Sequence, residues 1–368
     1  MIICTVTAAN HLAYAQVLVK SVKAHVKDCR FVFCLVENGL HPDAASFECM
    51  DDVVLAKNLE IPDFEELVTK RDIYGMTTIL KPYLLLHLFD RYADETKFIY
   101  LDADIRVYSS FDELDKLLNR YSIILTPHRL EPQNYLNSIE EELVNLKDGV
   151  FQVGFLGLSK TAESRRFLKW WAARCHDYAI IDYKKGLFLD QKWLNHVPSF
   201  FKEVYILRDP SYHMASWNLS QRRLTRKGKD QYYVNGRPLV FFHFSGTGRW
   251  LDKSIRLHTS DDNVQKLVDQ YQDDLLSTGH NNFKNIPWDY EMIMRYEERN
   301  KRPAIEMNST HEENRVPILE SESPNLSDNM SSPILLKEEI QTNQAFIKII
   351  KIWNNIITFL KLVIFRRK

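Results

Sequence analysis

KFIYLDADIRVY, residues 97–108, is the stretch whose reading decides the fold. Phe98 to Leu101 form an apolar run of the length of a buried strand. It opens abruptly into Asp102-Ala103-Asp104. In extended chain, residues two apart project to the same side. At the carboxyl end of a strand, where open α/β sheets bind ligands, both carboxylates then face one cleft. Two unpaired carboxylates repel each other, and a hard divalent cation relieves that repulsion. The alternative is an acidic pair that merely ends a strand, since a short Asp-x-Asp string arises often by chance.

Outward from this point the same alternation repeats. Further strands are expected at residues 2–7, 31–36, 122–126, 150–156 and 239–244. A helix is expected at 12–25, with Ala15, Leu18, Val19 and Val22 on one side, and another at 167–175. A third is expected at 83–89, opened by Pro82 in its first turn. Strands alternating with helices predict an α/β layer fold, a Rossmann-like, mostly parallel sheet flanked by helices, over residues 1–295. With 45% hydrophobic and 26% charged residues, the chain can bury a real core, which excludes collagen, wholesale disorder and a polytopic membrane protein. A net charge of -1 argues against a nucleic-acid partner, whose binding would need a basic domain. Only 11 glycines occur, with no Gly-rich phosphate-loop string. Cys4, Cys29, Cys34, Cys49 and Cys175 are scattered without a CxxC pair, so a disulfide framework or zinc site is not expected. The opening MIICTVTAANH lacks the basic and long apolar regions of a signal sequence, and a cytoplasmic body is expected.

The character changes near residue 296. Residues 296–341 are rich in Glu, Ser, Asn and Pro, and read as a flexible linker that buries too little apolar surface to offset ordering entropy. Residues 342–368 read as a basic amphipathic helix. Lys348, Lys351, Asn354, Asn355, Thr358 and Lys361 fall within about a 140° arc, and Phe346, Ile349, Ile350, Trp353, Ile356, Ile357 and Leu360 fill the rest. The longest charge-free run, 352–360, is short of the ~20 apolar residues a spanning helix needs. An interfacial position is expected instead, with basic groups at an anionic membrane surface. A helix that docks on a partner or on the core is the other reading.

Three more strings bear on chemistry. LVFFHFSG at 239–246 carries His243, either a core histidine or the third donor an Asp-x-Asp site needs; imidazole beside carboxylates suits Mn²⁺ better than Ca²⁺. LFLDQKWLNHV at 187–197 carries Asp190-Gln191 after an apolar stretch, and Asp190 reads equally as a helix N-cap. MASWNLSQ at 214–221 sets Trp217 beside Asn218, which ordinary packing also explains.

Taken in order, the strings TVTAANHLAYAQVLVKSV (5–22), TTILKPYLLLHLF (77–89), YLDAD (100–104), GVFQVGFLGL (149–158), FLKWWAARC (167–175), GLFLDQKWLN (186–195), WNLSQR (217–222) and FFHFSG (241–246) resemble bacterial GT-A glycosyltransferases similar to glycosyltransferase family eight. The resemblance covers about residues 1–255. It implies the following roles. Asp102, Asp104 and His243 hold Mn²⁺ or Mg²⁺, which bridges the diphosphate of a nucleotide sugar. Thr7, Ala8 and Asn10 line the nucleotide pocket, with Ala103 between the two acids. Lys81 faces the diphosphate or donor sugar. Asp190 and Gln191 lie beside the reacting carbon, Gly154 lets backbone approach the sugar, and Gly246 lies near the diphosphate. Two departures are Gln152, where the family string carries Asn, and Thr-Gly-Arg after HFSG in place of Phe-Asp-Pro. The expected activity is hexose transfer from a nucleotide-diphosphate sugar, a UDP-sugar, with retention. The expected acceptor is a glycan or lipid-linked molecule of surface polysaccharide or glycolipid synthesis, met at the inner leaflet of the cytoplasmic membrane. The rival readings are a non-catalytic nucleotide-sugar-binding or scaffold module, and a sugar-phosphate nucleotidyltransferase.

Overall fold

A computed structural model describes residues 1–42, 50–132, 139–228 and 231–301. The central layer is a seven-stranded sheet built from β1 (Ile2–Thr7), β2 (Arg30–Leu35), β3 (Asp52–Leu55), β4 (Lys97–Leu101), β6 (Ile123–Pro127), β7 (Phe151–Ser159) and β8 (Val204–Ile206). Its order is β8-β6-β7-β4-β1-β2-β3. All neighbours are parallel except β7, which runs antiparallel to both β4 and β6. The fold is thus α/β with a mostly parallel sheet, as the alternation of elements predicts.

Helices cover both faces, which is why β1 is buried at all six positions, its two threonines included. Ile2, Cys4 and Val6 face one core, packed under α2 (Ile73–Arg91) and α3 (Ala162–Tyr178) through Leu84, Leu88, Phe167 and Trp171. Ile3 and, from β4, Ile99 and Leu101 face the other, where α1 (Leu12–His25) contributes Leu18 and Val22. Each such large side chain contributes about 1.5–3 kcal/mol by leaving water. A smaller sheet crosses the carboxyl end of β4: β9 (Met214–Ala215) pairs with β10 (Phe241–His243), which pairs with β5 (Ile105–Val107). His243 lies opposite Ile105, and the Phe244 N–H donates to the Asp104 carbonyl at 2.9 Å. That pairing carries residue 243 to residue 104.

Three expectations change. Pro82 does not open a helix; it sits inside α2, which begins at Ile73. Proline there removes the N–H that would reach the carbonyl four residues back. Burial of Ile79, Leu80, Leu84, Leu85 and Leu88 around it holds the helix regardless. Asp102-Ala103-Asp104 is not extended but a turn, closed by the Ile105 N–H on the Asp102 carbonyl at 3.1 Å. The last described helix, α4 (Asp289–Lys301), runs past residue 295, so helical structure extends into the segment read as linker. The rest of that linker, residues 302–341, and the basic segment 342–368 lie outside the described residues, as does Cys49. Cys4, Cys29, Cys34 and Cys175 are free thiols.

Candidate active site

The turn after β4 aims both acids at the strand that returns through the smaller sheet. Asp104 Oδ1 lies 2.9 Å from His243 Nε2, and Asp102 Oδ2 lies 3.9 Å from the same nitrogen. Donor atoms of Asp102, Asp104 and His243 all fall within 4.8 Å of one another. A Cβ on Gly154 would sit 2.5 Å from His243 Cε1 and 2.7 Å from Nδ1, so the imidazole occupies the space that glycine leaves. Gly154 is tied to the acids as well, since its carbonyl accepts from the Asp102 N–H at 2.8 Å.

Lys81 comes from α2 and is buried. Its Nζ lies 3.2 Å from Asp102 Oδ1 and 3.2 Å from Asp190 Oδ2. Tyr100 adds a hydroxyl donating to Asp102 Oδ1 at 2.8 Å. Asp102 therefore divides its work: Oδ1 meets Lys81 and Tyr100, and Oδ2 faces the imidazole. Asp190 does not cap a helix. The indole N–H of Trp171 donates to its carbonyl at 3.0 Å, and its carboxylate meets Lys81. The preceding Leu189 holds φ at 47°, a conformation rare for a side chain of that size and found where surrounding structure over-determines the backbone.

The electrostatics follow from burial and these contacts. Burial opposes a charged Lys81, yet Asp102 and Asp190 outweigh it and hold the ammonium above its ordinary range. Burial raises Asp190, with Lys81 pulling the other way. For His243 burial is outweighed by the Asp104 carboxylate beside it, which raises the imidazole, and the same contact lowers Asp104 against its own burial. Asp102 and Asp190 meet the single ammonium of Lys81 while Asp104 meets only the imidazole, so with the imidazole neutral three carboxylates share one cation and the site carries excess negative charge. Two carboxylates and one imidazole form a donor set that fits a divalent cation of the Mn²⁺ or Mg²⁺ kind.

These groups line a cleft of about 280 Å³. Thr7, Ala8, Lys81, Asp102, Ala103, Asp104, Asp190, Gln191 and His243 all face it. Asn10 does not; its side-chain oxygen meets His11 Nδ1 at 2.8 Å. Gly154 stands behind the imidazole rather than on the cleft wall. Gly246 is also off the wall, in a turn with φ at 74°, where a Cβ would meet Trp250 Cβ at 2.9 Å.

Sequence reasoning missed Tyr74, Thr77 and Thr78, which line the cleft with Lys81. Their spacing is that of one helical face, and starting the helix at Pro82 hid it. It also missed His213, one residue before MASWNLSQ, whose Nε2 lies 3.1 Å from His243 Nδ1. Gln152 lines the cleft and accepts a hydrogen bond from the Gly154 N–H.

No protein-family model matches the chain. Among curated proteins it is similar to two uncharacterized proteins of Bacillus subtilis (strain 168). YfnD is 23% identical over 263 residues, covering 69% of this chain and 80% of the relative. YfnF is 24% identical over 247 residues, covering 66% and 80%. Among solved structures it is similar to the galactosyltransferase LgtC, crystallised with donor and acceptor sugar analogues, with a TM-score of 0.46 and 18% identity over 79% of this chain and 99% of that one. It is also similar to the bifunctional glycosyltransferase WbbM, with a TM-score of 0.43 and 16% identity over 80% of this chain and 51% of that one.

Proposed function

We propose that this chain is a glycosyltransferase that moves a hexose from a nucleotide-diphosphate sugar, a UDP-sugar, to a glycan or lipid-linked acceptor with retention at the anomeric carbon. The observation that carries this reading is the convergence of Asp102, Asp104 and His243 beside the Lys81–Asp190 pair, on one cleft at the carboxyl ends of parallel strands. Asp102, Asp104 and His243 would hold Mn²⁺ or Mg²⁺, which would supply Lewis-acid stabilisation of negative charge on a departing diphosphate. Lys81, kept charged between two carboxylates, sets a fixed positive charge on the same side, already oriented before the bond breaks. Asp190 and Gln191 face the cleft next to it, where a buried carboxylate stabilises positive charge developing on the sugar. Thr7 and Ala8, at the end of β1, form the wall against which the nucleotide lies.

The reading extends to place. No helix of the described residues is long and apolar enough to cross a membrane. The basic pattern of residues 342–368 supports a cytoplasmic enzyme held peripherally on the inner leaflet, where lipid-linked acceptors of surface polysaccharide or glycolipid synthesis are found. Liposome co-sedimentation with and without residues 342–368 tests this, and equal binding refutes it.

A panel of nucleotide sugars with Mn²⁺, read by UDP or GDP release and by thermal shift, tests the activity. Asp102→Ala or Asp104→Ala should abolish release, and full turnover by either variant refutes the assignment. Release of pyrophosphate instead of a nucleoside diphosphate would move the chain to nucleotidyl transfer.

A further inference from the structure

We propose that His213 is a positioning residue for the cation site, holding the His243 ring so that Nε2 points at Asp102 and Asp104. This rests on the metal-site reading above. His213 is 1% exposed and precedes β9, the strand paired with His243's own strand. Its Nε2 lies 3.1 Å from His243 Nδ1, and its Nδ1 lies 2.6 Å from Thr126 Oγ1. The ring centroids are 5.3 Å apart with planes 22° from parallel, which lets the N–H of one ring meet the in-plane lone pair of the other.

The direction of these bonds follows from the task. For Nε2 of His243 to offer its lone pair, the ring proton must sit on Nδ1, and Nδ1–H then needs an acceptor. His213 Nε2 is that acceptor. With Nε2 accepting, the proton of His213 belongs on Nδ1, where Thr126 Oγ1 accepts it. The chain Thr126–His213–His243 thus sets which nitrogen of His243 is free. Trp217, edge-on to both imidazoles at 5.3 and 5.8 Å, and Gly154, behind His243, leave the ring little room to rotate.

His213 also holds φ at 55°, uncommon for any residue but glycine and more readily adopted by asparagine. That separates positioning from a purely structural role. Gln at 213 can set an amide oxygen near the place of Nε2, where His243 needs it. Asn reaches only the place of Nδ1, though it suits the left-handed backbone better.

The experiment is Mn²⁺ titration of the full chain by electron paramagnetic resonance, without any sugar, for wild type, His213→Gln, His213→Asn and His213→Leu. Melting curves accompany it to confirm folding. Loss of an outer-shell partner should weaken Mn²⁺ binding about 10–100-fold in the Leu and Asn variants, with Gln close to wild type. Asn binding as tightly as Gln, or Leu binding like wild type, overturns the proposal; if Leu does not fold, the Asn–Gln comparison still decides. Because no donor is present, a chain that binds Mn²⁺ in this order yet turns over no nucleotide sugar refutes the glycosyltransferase reading and leaves His213's role standing. A wild-type chain that binds no Mn²⁺ overturns the cation site and the role of His213 together.

Discussion

Gly154→Ala tests the site at its tightest point. The added Cβ would stand 2.5 Å from His243 Cε1, 2.7 Å from Nδ1 and 3.0 Å from Asp102 Oδ2. Carbon atoms in contact prefer about 3.5–4.0 Å, so the imidazole must retreat by about 1 Å. The backbone is held on the β4 side, where Phe155 pairs with Leu101 and the Gly154 carbonyl is bonded to Asp102, so the imidazole yields first. A retreat of that size breaks the 2.9 Å contact to Asp104 and the 3.1 Å contact to His213. Overpacking of this kind costs about 1–3 kcal/mol of stability. A misplacement of about 1 Å in a reacting site costs about a hundredfold in rate. The assay is Mn²⁺ affinity by calorimetry, with Mn²⁺-dependent donor hydrolysis and urea unfolding on the same protein. If the glycine served only to let backbone approach a sugar, the variant would bind Mn²⁺ normally and lose only donor affinity. Unchanged Mn²⁺ binding would refute the steric argument.

Lys81→Met leaves buried Asp190 without its cation, and should destabilise the fold by about 3–5 kcal/mol in urea titrations; a loss under about 1 kcal/mol would show that water or protonation replaces the pair. His128 is buried, and burial depresses its imidazole from an ordinary 6.5 to about 4. Between those values the unfolded chain binds the extra proton. Stability from this group is therefore complete above about pH 6.5 and is lost as pH falls toward 4, by about 3 kcal/mol in total. Urea midpoints for wild type and His128→Gln at pH 7.5 and 4.5 check this, with the variant showing the smaller decline; parallel declines would refute it. Mn²⁺ at a hundred times its dissociation constant should stabilise the protein by about 2.7 kcal/mol, reversed by a chelator. Asp104→Asn should remove that thermal shift, and a shift of the same size in the variant would place the ion elsewhere.

Much of the fold was legible because its signals are local. The expected strands at 2–7 and 98–101 and the helix at 12–25 agree with β1, β4 and α1 almost to the residue, since apolar runs and helical periodicity need no knowledge of distant chain. The misreadings share a cause. Pro82 looked like a helix start because proline favours the first turn, and only the apolar packing around α2 shows that it is tolerated nine residues past the helix start at Ile73. Asp102 and Asp104 were expected to share a direction by strand alternation, whereas a hydrogen-bonded turn followed by the β5–β10 pairing turns them toward His243.

What the sequence by itself determined is the set of parts: alternating strands and helices, an acid pair at a strand's end, a histidine in an apolar run, an Asp-Gln pair. Only the tertiary structure decided their partners. Lys81 between Asp102 and Asp190, His213 behind His243, and Gly154 vacated for an imidazole are contacts between residues far apart along the chain. Such contacts follow from sheet order and register. A side chain's own preferences fix its nearest neighbours in sequence, but hydrogen bonds and ion pairs go to whatever group the packed layers bring within about 3 Å.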